Sequence, residues 1–141
     1  MSALPLSILQ TTFGYPAFRG DQAAIVNHVI AGGDALVLMP TGGGKSLCFQ
    51  IPALARQAAG HGVTIVVSPL IALMHDQVGA LLEVGVAAEF LNSSLSGEAA
   101  NAVEQRLRRG EITMLYAAPE RVTSPRFLAL LDGLFEDSKL S

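Results

Sequence analysis

Cysteine, lysine and tryptophan are almost missing from this chain. Its 141 residues hold one cysteine, two lysines and no tryptophan, and aromatic residues make up only 6%. A lone cysteine, Cys48, excludes an intramolecular disulfide and a thiolate metal cluster; within its apolar run it reads as a small buried hydrophobe. With only Lys45 and Lys139 and a net charge of −3, no basic patch advertises nucleic acid. The tightest cationic cluster, Arg106, Arg108 and Arg109, lies among Glu104 and Glu111 and reads as a solvated helix end. A nucleic-acid function would therefore rest on backbone amides, hydroxyls and scattered arginines, or on another part of the protein. No apolar run is long enough to span a bilayer and no basic N-terminal region introduces a signal peptide. The expectation is a cytoplasmic protein with no membrane partner.

What the chain does have is an apolar core. Hydrophobic residues are 50% of it and charged residues 15%, enough for one domain built on Leu, Val, Ile and Ala. A short helix is expected to end near Thr12, followed by a turn at Phe13-Gly14-Tyr15-Pro16. A second helix spans Gln22 to Val29, with Asp21 as its cap and Ala24, Ile25 and Val29 facing inward. The wholly apolar Ala35 to Leu38 suits a parallel interior strand. A helix then runs to about Ala59, with Pro52 either tolerated early or kinking it. Strands are expected over Val63–Val67, Val86–Leu91 and Ile112–Ala117. Helices are expected over Leu70–Val84 (with Gly85 as C-cap), from Ser96 to Arg109, and from Pro125 through Leu134. Pro119-Glu120-Arg121 reads as a turn. This alternation predicts an α/β fold with a mainly parallel sheet flanked by helices on both faces, and ligands gathered beyond the carboxyl ends of the strands.

Between the apolar run and the third helix stands Met39-Pro-Thr-Gly-Gly-Gly-Lys-Ser46. Strand, glycine loop, lysine, hydroxyl and helix, in that order, cradle a nucleotide's phosphates. The strict form of the motif has glycine where this chain has Met39, so the match is the relaxed form Thr41-Gly42-Gly43-Gly44-Lys45-Ser46. Gly42 and Gly44 permit close backbone approach, and Thr41 adds a hydroxyl. Lys45 bridges the β- and γ-phosphates, and Ser46 is the candidate Mg²⁺ ligand. The alternative is a glycine-rich turn with a solvated lysine; the flanking strand and helix patterns argue against it. Turnover also needs a carboxylate to hold the metal and a group to activate water. No apolar strand here ends in acidic residues. Pro119 separates Glu120 from its strand, and Asp76 falls within a helix. On order and composition, the chain binds a nucleotide and lacks a complete hydrolytic set.

The loop has companions. Phe13-Gly14-Tyr15 precedes Phe18-Arg19-Gly20-Asp21-Gln22. The loop itself continues as Leu47-Cys-Phe-Gln-Ile-Pro52. Further on come Val66-Val-Ser-Pro-Leu-Ile-Ala-Leu-Met-His-Asp-Gln77, Leu91-Asn-Ser93 and Leu115-Tyr-Ala-Ala-Pro-Glu-Arg-Val122. In order and wording these segments resemble the RecQ family of ATP-dependent DNA helicases, superfamily 2, over nearly the whole chain. The resemblance implies an incomplete P-loop NTPase (RecA-like) domain, residues 1–141 being the N-terminal part of the first helicase lobe. It implies ATP and Mg²⁺ as cofactors and single-stranded and forked DNA as partners. Gln22 would read the adenine edge and Arg19 would pack by the base, with Leu47 beside the loop; a carboxamide pairs donor with acceptor and a guanidinium stacks on a flat ring. Ser68, Pro69, Leu70 and Gln77, then Asn92 and Ser93, then Pro119, Glu120 and Arg121, match three single-strand contact motifs that touch phosphate and sugar. Taken singly, Gln22 is also readable as a solvent-facing first-turn residue, Ser68 as a helix cap, and Glu120–Arg121 as a surface turn. His75 reads as packed or solvated rather than as a base. In the family, an Asp-Glu-Ala-His strand end and a second RecA-like lobe complete the chemistry. The expectation is that this chain stops short of both, and that strands absent from it would sit between the phosphate-loop strand and the rest of the sheet, leaving apolar edges exposed.

Overall fold

The computed structural model describes residues 3–40, 44–92 and 96–141. The chain divides into two compact units, Met1–Ala59 and Gly60–Ser141.

The first unit is helical. Helix α1 covers Ala3–Thr11, α2 Gln22–Ile30 and α3 Leu47–Ala58. Their shared core holds Ile8 and Leu9 of α1, Val26 of α2, and Ile51 and Ala55 of α3, with Phe13, Phe18, Ile30, Leu47 and Leu54 packed around them. Each fully buried Leu, Ile or Val there contributes roughly 1.5–3 kcal/mol. Arg56 of α3 donates to the Ile30 carbonyl at 3.1 Å, satisfying one of the orphan carbonyls that end α2. Helix α3 runs through Pro52 without a break in its assignment.

Two expectations for this unit need correction. Helix α2 turns Gln22 and Val26 inward, while Ala24 is exposed and Ile25 and Val29 are half-buried. Asp21 makes no side-chain capping bond. The buried position of Gln22 is held by polar partners, which the apolar periodicity does not register. The second correction concerns Ala35–Leu38, which is not a strand in the structure. Leu36 is 89% and Leu38 88% exposed. A strand is made by its neighbours' hydrogen bonds, and an apolar run alone does not supply them.

The second unit alternates strand and helix. It comprises β1 Thr64–Val67, α4 Ile71–Glu83, β2 Ala88–Leu91, α5 Gly97–Arg108, β3 Met114–Ala117, the single turn α6 Pro119–Val122, and α7 Pro125–Glu136. The strands form a parallel sheet in the order β1-β3-β2. Thr64 pairs with Met114 and Ala88 pairs with Met114 from the other side, and the ladders run in register to Val67, Ala117 and Leu91. One face of β3 places Leu115 and Ala117 against Val103 and Leu107 of α5 and Phe127, Leu130 and Leu134 of α7. By the period-two alternation, Met114 and Tyr116 face the opposite side. There, Phe90 of β2 meets the His75 ring of α4 at 4.2 Å between centroids. Helices thus cover both faces, as the sequence alternation predicts. All four β3 residues are buried, which explains their continuous apolar run.

Capping residues set the helix starts. Ser96 Oγ accepts from the Ala99 amide at 3.1 Å, and Ser124 Oγ accepts from Phe127 at 3.3 Å with Pro125 next in line. Gly85 follows α4 at φ +85°, where glycine carries no side-chain penalty. Pro119-Glu120-Arg121, expected as a turn, forms the helical turn α6. Of the arginine cluster, Arg108 and Arg109 are exposed at the end of α5, as expected, and Arg106 is half-buried. Arg106 pairs with Glu89 of β2 at 2.6 Å, and Arg126 reaches the buried Glu104 at 3.1 Å. Beside β1, Val63 forms an isolated parallel bridge with Leu140, and Ser141 donates to the Val63 carbonyl. Among the described residues, no helix is long and apolar enough to cross a membrane.

Candidate nucleotide and nucleic-acid sites

The nucleotide candidates fall in the first unit. Gln22 opens α2 and is 2% exposed. Its Oε1 accepts from the Arg19 amide at 2.7 Å and its Nε2 donates to the Gly44 carbonyl at 3.3 Å. Both ends of the carboxamide are therefore used, one toward the segment before α2 and one toward the glycine loop, so Gln22 is not a solvent-facing residue of the first turn. Gly44 has φ +82°, and a Cβ there would collide with the Gln22 amide and lie 3.9 Å from Arg19 Nη2. Arg19, Gln22 and Gly44 thus converge, with space between them sized for a glycine.

Beyond Gly44, Lys45 is exposed, and Ser46 and Leu47 are half-buried. Ser46 occupies the N-cap position of α3 in helical conformation with no side-chain cap bond. Its carbonyl accepts from Gln50 at 2.9 Å, and the Lys45 carbonyl accepts from Cys48 at 3.0 Å. Lys45 and Ser46 therefore stand at the positive end of a twelve-residue helix. Thr41, Gly42 and Gly43 lie outside the described residues. Cys48 is buried as expected, and burial pushes its thiol pKa up.

The nucleic-acid candidates fall in the second unit, at the carboxyl ends of its three strands. Ser68 follows β1, and its amide donates to Ala117 at 3.0 Å. Its Oγ accepts from the Leu70 amide at 3.3 Å, so the hydroxyl shapes the entry to α4. Pro69 and Leu70 are exposed, and Gln77 is half-buried in α4. Asn92 follows β2, and the Leu91 carbonyl accepts from Ala118 at 3.1 Å. The Asn92 side chain is fully buried and points Nδ2 at the Met74 sulfur of α4, 3.7 Å away. Pro119 and Glu120 are exposed on α6, while Arg121 is half-buried and its Nη2 donates to the Asn92 carbonyl at 3.3 Å. The structure thus brings Ser68, Asn92 and Arg121 to the carboxyl ends of adjacent strands and links the last two directly. Ser93 lies outside the described residues. The Arg121–Asn92 link escaped the sequence reading, because a bond to a backbone carbonyl 29 residues away leaves no local signal.

A family model described as DEAD/DEAH box helicase matches residues 19–139. The ATP-dependent DNA helicase RecQ of Haemophilus influenzae is 47% identical over 89% of the chain, which covers 20% of that protein. The RecQ helicase of Bacillus subtilis is 43% identical over 91% of the chain and 21% of its own length. The ATP-dependent helicase SGS1 of Saccharomyces cerevisiae is 40% identical over 94% of the chain and 9% of its own length. The chain therefore spans about a fifth or less of these relatives. In fold, it is similar to the DNA-bound crystal structure of the DUF1998 helicase MrfA, with a TM-score of 0.76 at 20% identity, covering 97% of this chain and 20% of that one. The chain belongs to the DEAD/DEAH box helicase family, and its relatives there are RecQ helicases.

Proposed function

We propose that residues 1–141 form part of the first RecA-like lobe of a RecQ-type, ATP-dependent 3′-to-5′ DNA helicase. The observation that carries the nucleotide half is the doubly bonded, buried Gln22 carboxamide. It ties the segment that would read adenine to the loop that would hold phosphate. Gly44, at φ +82° and without a side chain, suits close approach of a phosphate to the backbone. In this reading Arg19 packs by the base, and Gln22 exchanges its bonds to the Arg19 amide and the Gly44 carbonyl for the adenine edge when nucleotide binds. Thr41, Gly42, Gly43, Gly44, Lys45, Ser46 and Leu47 take the phosphates, and the Ser46 hydroxyl holds Mg²⁺. The ion's role is to neutralise charge on the phosphates during transfer. The carboxylates that complete the metal site, and the second lobe, belong on this proposal to the remainder of the protein, because the matched relatives are several times longer. A cytoplasmic setting is part of the same reading.

The candidate strand contacts are Ser68, Pro69, Leu70, Gln77, Asn92, Ser93, Pro119, Glu120 and Arg121. They support a single strand laid across the carboxyl edge of the second unit's sheet, gripped by its backbone and without sequence preference.

ATP hydrolysis by the full-length protein, with and without single-stranded DNA, tests the reading. Stimulation by DNA, loss of turnover in Lys45→Ala, and opening of 3′-tailed but not 5′-tailed duplexes are expected. Turnover indifferent to DNA, or surviving Lys45→Ala, overturns it. Turnover by residues 1–141 alone would overturn the assignment of the water-activating groups to the rest of the protein.

A further inference from the structure

We propose that Arg121 and Asn92 are positioning residues, a clamp that fixes the ends of the three strands against one another for binding single-stranded DNA. The inference rests on the helicase reading above and narrows it: two of the candidate contacts act through the protein rather than on the strand.

Asn92 has no exposed surface, so its carboxamide is not available to a phosphate in this conformation. It faces Met74, one of the buried residues on the inner side of α4. That helix begins directly after Ser68-Pro69-Leu70, and the Ser68 hydroxyl shapes its entry. The Asn92 main-chain carbonyl accepts from the Arg121 guanidinium at 3.3 Å. Arg121 sits on α6, a single turn that follows β3 without a loop. One asparagine therefore links all three strand ends: β2 through its own chain, the start of α4 through Met74, whose amide donates to the Leu70 carbonyl at 3.0 Å, and α6 after β3 through Arg121.

The clamp has a physical purpose. Hydroxyls and amides that grip a phosphate backbone gain affinity from being held in place before binding, because little ordering cost remains. A half-buried guanidinium spent on a carbonyl contributes rigidity; the same group spent on a phosphate would contribute counterion release. The two roles give different salt dependences, which makes them separable.

The test is single-stranded DNA affinity of the full-length protein against salt concentration, for wild type, Arg121→Met, Asn92→Ala and the double variant. A clamp predicts that each single change weakens binding by about two- to thirty-fold. It also predicts an unchanged slope of log affinity against log salt, and a double variant no weaker than the worse single. A direct phosphate contact at Arg121 predicts a slope shallower by about 0.7 in Arg121→Met and losses that multiply in the double variant; either result overturns the clamp. Asn92→Ala keeps Arg121 in place, so an undiminished affinity in that variant overturns the proposal independently. Wild-type protein that binds no single strand overturns the helicase reading itself.

Discussion

Gly44→Ala is the substitution whose outcome the structure constrains most tightly. Two costs combine there. At φ +82° an L side chain pays left-handed strain of roughly 1–2 kcal/mol. The new methyl also meets the Gln22 amide, and displacing that amide removes its bond to the Gly44 carbonyl, at about 0.5–1.5 kcal/mol. Gly14 is the control, since it has φ +77° with nothing within 4 Å of an added Cβ, and it lies in the same helical unit. Gly14→Ala should therefore carry the strain alone. Amide hydrogen exchange over α2 and α3 reads the difference directly, as local opening free energy within the helical unit. Protection should fall in both variants, with Gly44→Ala losing roughly two- to twelve-fold more than Gly14→Ala. In a Gln22→Ala background, the excess should vanish. Equal losses in the two glycine variants, or an excess that persists without Gln22, would refute the coupling between the loop and the carboxamide.

Other expectations follow from single contacts. Ser96→Ala removes the cap on α5 and should destabilise the second unit by about 1 kcal/mol, measured by exchange of α5 amides. The Arg106–Glu89 pair is about one-third exposed, so a double-mutant cycle with Arg106→Gln and Glu89→Gln should return a coupling of only about 0.2–1 kcal/mol that shrinks as salt rises. Burial raises the Cys48 pKa above its ordinary value, so the folded state favours the protonated thiol. That contribution to stability is present below the unfolded thiol's pKa and is lost as pH rises through the folded one. Alkylation of Cys48 should accordingly be slower in folded than in urea-unfolded protein at mildly alkaline pH, and equal rates would contradict it.

Most elements were legible because their signals are local. Ser96 before α5, Pro125 at the start of α7, the glycine after α4 and the helical spacing along α4 each act within a few residues, and each matches the structure. What was not legible depends on distant partners. Taken singly, Gln22 is readable as polar and outward, but in the structure it accepts from the Arg19 amide and donates to the Gly44 carbonyl, 22 residues on, and is buried. Ala35–Leu38 has a strand's composition and lacks strand pairing in the structure. The three strand-end motifs were found by wording, but their placement at the carboxyl ends of adjacent strands follows from the β1-β3-β2 order, which no single segment encodes. The roles of Asn92 and Arg121 depend on a bond that spans two of those motifs.

The order of the sheet also has a consequence in time. Its central strand is the last of the three to be synthesised. Thr64 waits for Met114 and Ala88 waits for the same residue, so neither edge strand has its partner until the chain has grown past β3. During that interval a nascent Thr64-Ile-Val-Val67 segment, β-branched throughout, is an unpaired edge in a chain that emerges at about 5–20 residues per second. The delay between the two edges and their shared partner lasts on the order of seconds. Slow emergence of β3 is therefore the step at which this unit is most open to wrong pairing, and a chaperone that shields residues 64–67 would help the nascent chain more than the finished fold.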